Sequence, residues 1–139
     1  MANLAADRRD VADAIAAAVK ALPGNLAILA ISGTELEVAG RAAGLPTYCE
    51  IFADRAYLPN GRLVPRSRPD AMVHGAKAAA DRLIGFLDSG RMPVVGADPI
   101  PLAAQSICVH GDSPDAVAMA REIRMRLQAA GVVLAPFQQ

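Results

Sequence analysis

The 139-residue sequence predicts an α/β fold in which outer helices cover a mostly parallel sheet. Helical periodicities alternate with short, continuous apolar runs, and such runs mark strands buried on both faces. Turn residues, mainly Gly and Pro, stand at nearly every switch between the two patterns. The length suits residues 1–139 as a single domain, or as one large piece of a bigger one.

The elements follow in order. Val11, Ile15, Val19 and Leu22 recur at helical spacing, with Asp7 or Asp10 as a cap and Pro23-Gly24 as the stop. Leu26 to Ile31 is apolar throughout and predicts a buried strand. Ser32-Gly33-Thr34 opens a second helix, closed by Gly44 where a left-handed residue is needed. Thr47 to Phe52 predicts a second buried strand. The stretch from Ala53 to Ala71 is irregular and rich in Pro, Arg and Gly, and Asn60-Gly61 within it suits the turn of a small hairpin.

A third helix is expected from about Gly75 to Asp88, ended by Gly90. Met92 to Leu102, with Pro93, Gly96, Pro99 and Pro101, predicts a loop or hairpin. Ser106 to Val109 is a third buried strand, running through His110-Gly111-Asp112 into Ser113-Pro114, a cap followed by proline at the first helical position. Val117, Ala120, Arg124 and Leu127, with Ile123 beside them, form the expected apolar face of the last helix. Gly131 ends it, and Val132 to Leu134 is expected as a final strand.

Composition narrows the function classes. Hydrophobic residues make up 53% and charged residues 20%, which supplies a core and argues against disorder. Basic and acidic residues balance at 14 each, so the basic excess of a nucleic-acid binder is lacking. Aromatic residues reach only 4%, with no Trp, too few for a base-stacking platform. Cys49 and Cys108 lie far apart in apolar runs and match no metal-ligand spacing, as expected of reduced, buried thiols in a cytoplasmic protein. No signal-peptide pattern opens the sequence, and no apolar run reaches the roughly 18 residues of a membrane span.

In parallel α/β sheets, function gathers at the carboxyl ends of strands. Two segments place polar groups there: Glu50 through Asp54-Arg55, and His110 with Asp112. The stretch from Glu50 to Tyr57 (Glu-Ile-Phe-Ala-Asp-Arg-Ala-Tyr), then Gly61 to Arg66 and Ser106 to Asp112, resembles the signatures of the LamB/YcsF lactam-utilisation family. The resemblance runs over essentially the whole chain. It implies a deformed (β/α) barrel of the glycoside hydrolase/deacetylase type, and a cytoplasmic A subunit of a 5-oxoprolinase. That enzyme, with its partner B and C subunits, opens 5-oxoproline to L-glutamate at the expense of ATP. The family's Asn-Cys-Asp-Leu-Gly-Glu, Cys-Gly-Phe-His-Ala-Gly-Asp and Lys-Pro-His-Gly-Ala-Leu-Tyr-Asn segments do not occur here. A closed barrel takes about 250 residues. The expectation is therefore a partial barrel, the carboxyl-terminal half, inactive on its own.

At these strand ends Glu50, Asp54, His110 and Asp112 are the candidate catalytic groups, with Arg55 binding a carboxylate or phosphate, Asp54 orienting it or holding a metal, and His110 relaying a proton. The resemblance adds Arg66 as a contact for an anionic ligand. Each residue also has a plainer role. Asp54 and Arg55 suit an ion pair tying the loop to the rim, and Glu50 a structural partner for an Arg. Asp112 suits a helix cap, His110 a hydrogen-bonded rim residue, and Arg62, Arg66 and Arg68 a solvated surface. His74 and Tyr57 are expected to be structural. No glycine-rich phosphate loop occurs, so ATP contacts are expected from elsewhere in the assembly or from an unconventional pocket. Two alternatives compete: a non-catalytic remnant that self-associates through uncovered edges, and a metal-dependent deacetylase-like hydrolase using His110, Asp112 and Glu50.

Overall fold

A computed structural model describes residues 2–111 and 116–136. The described residues form two compact units. The first takes those up to Ile51 together with Ala103–Ser106; the second takes Phe52–Leu102 and those from Ile107 onward.

In the first unit, α1 (Ala2–Asp7) and α2 (Arg9–Ala21) lead to β1 (Ile28–Ile31), α3 (Glu35–Ala42) and β2 (Thr47–Phe52), whose last residue begins the second unit. β1 and β2 are parallel, with Ile28 opposite Thr47 and Ile31 opposite Glu50. The core holds Ala12, Ala16, Ile28, Ala30 and Ala39, with Val19, Leu36, Ala43 and Leu45 packed against it. The α2 face is thus centred one residue beyond the expected one. Ala12 and Ala16 are buried, Val11, Ile15 and Val19 flank them, and Leu22 stays 56% exposed. Small side chains at the centre let the helix approach closely, which counting large apolar residues does not reveal.

The same closeness explains Gly40. A Cβ there would meet Thr47 Oγ1 at 2.6 Å and Ile28 Cδ1 at 3.2 Å, so α3 rests almost backbone-first on its neighbours. The helix ends as the sequence predicts: Gly44 takes φ +73°, its N–H donates to Arg41 O, and the Leu45 N–H donates to Gly40 O. Thr34 occupies the N-cap position, but its hydroxyl donates to Ile31 O instead of accepting from the helix.

The second unit contains α4 (Ala76–Ser89), the antiparallel ribbon of β3 (Arg91–Val94) and β4 (Ala97–Pro101), and α5 (Ala116–Ala129). β5 (Ser106–Cys108) completes a sheet of order β1-β2-β5. Gly75 and Gly90 bracket α4 at φ +88° and +67°, and Ala79, Ala80, Leu83 and Phe86 form its buried face. Met92–Leu102 resolves into a hairpin, with a register shift between Met92 and Val94 at Pro93.

Two expectations are corrected here. The buried residues of α5 are Ala116, Ile123 and Leu127, whereas Val117 is 65% exposed and Ala120 and Arg124 face solvent. Both sets obey helical spacing, and the polar Arg124 marks the wrong one. Val132–Leu134 forms no strand. Gly131, at φ +82°, donates to Gln128 O, and the Val132 N–H folds back to Leu127 O, which closes the helix and leaves Val133 87% exposed. The expected Ser113-Pro114 cap lies outside the described residues.

Residues 53–73 have little regular structure but are closely knit. The Ala53 N–H donates to Cys108 O, Ala56 N–H to Ala71 O, Val64 N–H to Ala56 O and Val73 N–H to Asp54 O. Around Asn60-Gly61, the Leu58 N–H donates to Arg62 O and Tyr57 bridges Leu63, a minimal hairpin with Gly61 at φ +80°. A segment with so many fixed amides can hold side chains in set directions without being helix or strand.

Candidate functional site

The second unit brings together two of the residues singled out from the sequence. His110 follows β5 and Asp54 follows β2. The His110 Nδ1 lies 2.8 Å from both Asp54 carboxylate oxygens. The Asp54 side chain is 6% exposed, and that of His110 21%. A carboxylate so enclosed needs strong partners, and an imidazole N–H shared between its two oxygens is one. With Nδ1–H donating to Asp54, Nε2 is left as the ring's acceptor nitrogen. The Phe52 ring stacks on the imidazole at 5.4 Å, inclined 19°, and fixes its plane.

Tyr57, expected as a packing residue, is fully buried and more than filler. Its hydroxyl accepts from the Phe52 N–H at 3.0 Å, within the segment that carries both Phe52 and Asp54. Arg55 is buried and donates to Val64 O at 2.7 Å, tying the same segment to the loop that follows. Arg66 lies exposed after Val64. His74 is also exposed, just before α4. Arg68 forms a two-point ion pair with Asp70, as expected of a surface arginine.

Glu50 belongs to the first unit, where it accepts from Ser106 Oγ at 3.2 Å and both groups are half-buried. Asp112 lies outside the described residues. The expected ligand set of His110, Asp112 and Glu50 is therefore only partly described, and among the described residues no group of three metal-binding side chains gathers.

Sequence reasoning missed one residue of the second unit. Arg82, midway along α4, reaches back to the backbone on both sides of Asp54. Burial pushes the pKa of its guanidinium below the ordinary arginine value, opposed by the nearby Tyr57 and Asp54. Nothing in the sequence around it separates a buried arginine from a solvated one.

The first unit has its own polar cluster. Arg41 donates to Cys49 Sγ at 3.5 Å and to Glu37, while the Gly33 N–H donates to Glu37 at 2.8 Å. Burial, then the Glu37 carboxylate, pushes the Cys49 thiol above its ordinary 9.0, against the pull of Arg41. Cys49 and Cys108 form no disulfide; Cys49 is buried, as the sequence suggested, but Cys108 is only half-buried. No helix among the described residues is long and apolar enough to cross a membrane.

The scaffold is thus α/β, and its carboxylate–imidazole pair stands just past the ends of β2 and β5. The chain belongs to the LamB/YcsF family, whose pattern matches residues 1–139. Its relatives include the 5-oxoprolinase A subunit of Azorhizobium caulinodans, 47% identical over 99% of this chain and 54% of the relative. That of Nocardia farcinica is 50% identical over 96% and 53% respectively. The crystal structure of a lactam utilization protein from Thermus thermophilus superposes with a TM-score of 0.86 at 35% identity, over 96% of this chain and 53% of that one. The chain therefore spans about half the length of the relatives it matches.

Proposed function

We propose that this chain contributes the Asp54–His110 proton-transfer pair to an ATP-dependent 5-oxoprolinase, acting with the remainder of an A subunit and with the B and C subunits. The observation that carries this reading is the contact of His110 Nδ1 with both oxygens of a buried carboxylate. A lactam is a poor electrophile, and ATP, when bound, would supply the activation of its carbonyl. Ring opening then needs a group that delivers a proton to the departing nitrogen or removes one from water. His110 does this through Nε2, while Asp54 fixes the tautomer and steadies the imidazolium that forms.

Within this proposal Arg66, exposed on its loop, meets the anionic part of the substrate or nucleotide. Arg55 supports the segment instead. Glu50 and Asp112 remain candidates for the second proton-transfer group. The family relationship and the names of the relatives support 5-oxoproline as the substrate.

The test is glutamate formation from 5-oxoproline and ATP, with components omitted in turn. Turnover is expected only when this chain is combined with the remainder of an A subunit and with both partners, B and C. Turnover by this chain alone would refute the partial-barrel account. An assembled enzyme that ignores 5-oxoproline would refute the substrate.

A further inference from the structure

The direction of the Asp54 carboxylate is set by a closed circuit of contacts within the second unit. Arg82 Nη1 donates to Arg55 O at 2.7 Å and lies 3.4 Å from Ala53 O, so one guanidinium nitrogen addresses the carbonyls on either side of Asp54. Its Nη2 lies 3.0 Å from Met92 Sδ, and its Cζ sits 5.4 Å from the centre of the Tyr57 ring. The Tyr57 hydroxyl accepts from the Phe52 N–H, the Phe52 ring stacks on His110, and His110 returns to Asp54.

The stereochemistry gives this circuit a purpose. In extended backbone, the carbonyls of residues i and i+2 point to one side and that of the residue between them to the other. The segment has that pattern: Ala53 O and Arg55 O face Arg82, while Asp54 O accepts from the Val73 N–H. Gripping the two outer carbonyls from one side and the middle one from the other stops the residue between them from rotating. That rotation would swing the Asp54 Cα–Cβ bond away from His110.

Arginine suits the task because its planar fork offers several donors at fixed angles, whereas lysine offers a compact charge on a flexible stem. Placing a guanidinium in a half-buried position is costly, and a residue needed only for helix propensity on α4 would not need to be there. The tyrosine face and the Asp54 charge offset part of that cost.

We propose that Arg82 is a positioning residue, whose grip on the Ala53 and Arg55 carbonyls aims the Asp54 carboxylate at His110 Nδ1 and thereby holds the imidazole in the Nδ1–H tautomer. This rests on the proton-transfer reading of the pair and adds to it the residue that sets the pair's geometry. The other charged and titratable groups around the circuit are the buried Arg55, Tyr57 and Asp54 itself.

The test reads the tautomer directly. In the 15N-labelled full chain, long-range 15N–1H correlations of the imidazoles are recorded over a pH series, and the tautomer is read where the ring's own 15N shifts report the neutral form. His74, the other histidine, serves as the internal reference. Wild type is expected to show Nδ1–H at His110, and Asp54→Asn to move it to Nε2–H. Arg82→Met is expected to lose most of the Nδ1–H signal while leaving His74 unchanged. Arg82→Lys, which keeps the charge but not the fork, is expected to fall between Met and wild type.

A folded Arg82→Met variant with the wild-type spectrum would overturn the inference. If the Met variant does not fold, a wild-type spectrum in Arg82→Lys overturns it instead. A wild-type His110 already in the Nε2–H form, or one indifferent to Asp54→Asn, would overturn the proton-transfer pair as well. The two failures are thus separable.

Discussion

Substituting Gly40 with alanine should destabilise the protein, even though glycine is a poor helix former. The added Cβ would lie 2.6 Å from Thr47 Oγ1, 3.3 Å from Thr47 Cγ2 and 3.2 Å from Ile28 Cδ1. The isoleucine methyl can give way, because it ends a flexible chain. Thr47 cannot do so cheaply: it is β-branched, and its hydroxyl donates to Leu45 O at 2.9 Å. Overpacking of this kind costs about 1–3 kcal/mol. Replacing glycine in a helix returns about 0.8–1.0 kcal/mol. The net is a loss of up to about 2 kcal/mol, which lowers Tm by as much as roughly 8 °C in a chain of this size.

Gly85 provides the control. It also lies within a helix, but nothing stands within 4 Å of the Cβ it would gain, so Gly85→Ala should raise Tm. Thermal unfolding followed by circular dichroism reads both variants. Adding Thr47→Ala to Gly40→Ala should recover most of the loss, because it removes both Thr47 atoms in the clash. A Gly40→Ala variant as stable as wild type, or one whose cost Thr47→Ala does not relieve, would refute the close approach of α3.

Other predictions concern the polar clusters. Burial raises the Glu37 pKa, but the Gly33 N–H, Cys49 and Arg41 outweigh it, leaving the folded-state value below the ordinary 4.5. A depressed carboxylate contributes stability above its unfolded pKa and loses it as pH falls through the folded value. Glu37→Gln should therefore flatten the fall in Tm below about pH 4.5, and an unchanged acid limb would contradict the assignment. Cys49, whose pKa is raised, should react with iodoacetamide far more slowly in the folded chain than in denaturant at the same mildly alkaline pH. Peptide mapping that found Cys49 labelled as fast in both states would contradict its burial.

Much of the fold was legible because it rests on local chemistry. The Thr47–Phe52 strand, the Gly44 and Gly90 helix ends and the Met92–Leu102 hairpin follow from apolar runs and from glycines at positive φ. The face of α2 lies one residue from the expected one because Ala12 and Ala16 do the packing, and periodicity counts weigh large side chains more heavily. On α5, Ile123 and Leu127 are buried as expected, but Ala116 joins them in place of Val117, Ala120 and Arg124. The final strand failed because Val132 and Val133 have strand propensity but pair with no strand among the described residues, and the helix-ending turn claims the Val132 amide.

The site was legible in its parts and not in its assembly. His110 and Asp54 are 56 residues apart, so only folding shows that they meet. Arg82 was invisible for a different reason: a single arginine in a helix has the same sequence pattern whether it faces water or grips two carbonyls. Tyr57 was recognised as buried, but its hydroxyl contact with a backbone amide five residues away needs coordinates.

The central claim is that His110 exchanges protons with the substrate while Asp54 holds it in place. Its most direct measurement is kcat for glutamate formation by the fully assembled enzyme carrying His110→Asn, beside Asp54→Asn. Loss of a positioned acid–base group lowers the rate by about 10²–10⁴-fold, and both variants should fall in that range with KM little changed. A His110→Asn enzyme that retained wild-type kcat would contradict the claim outright.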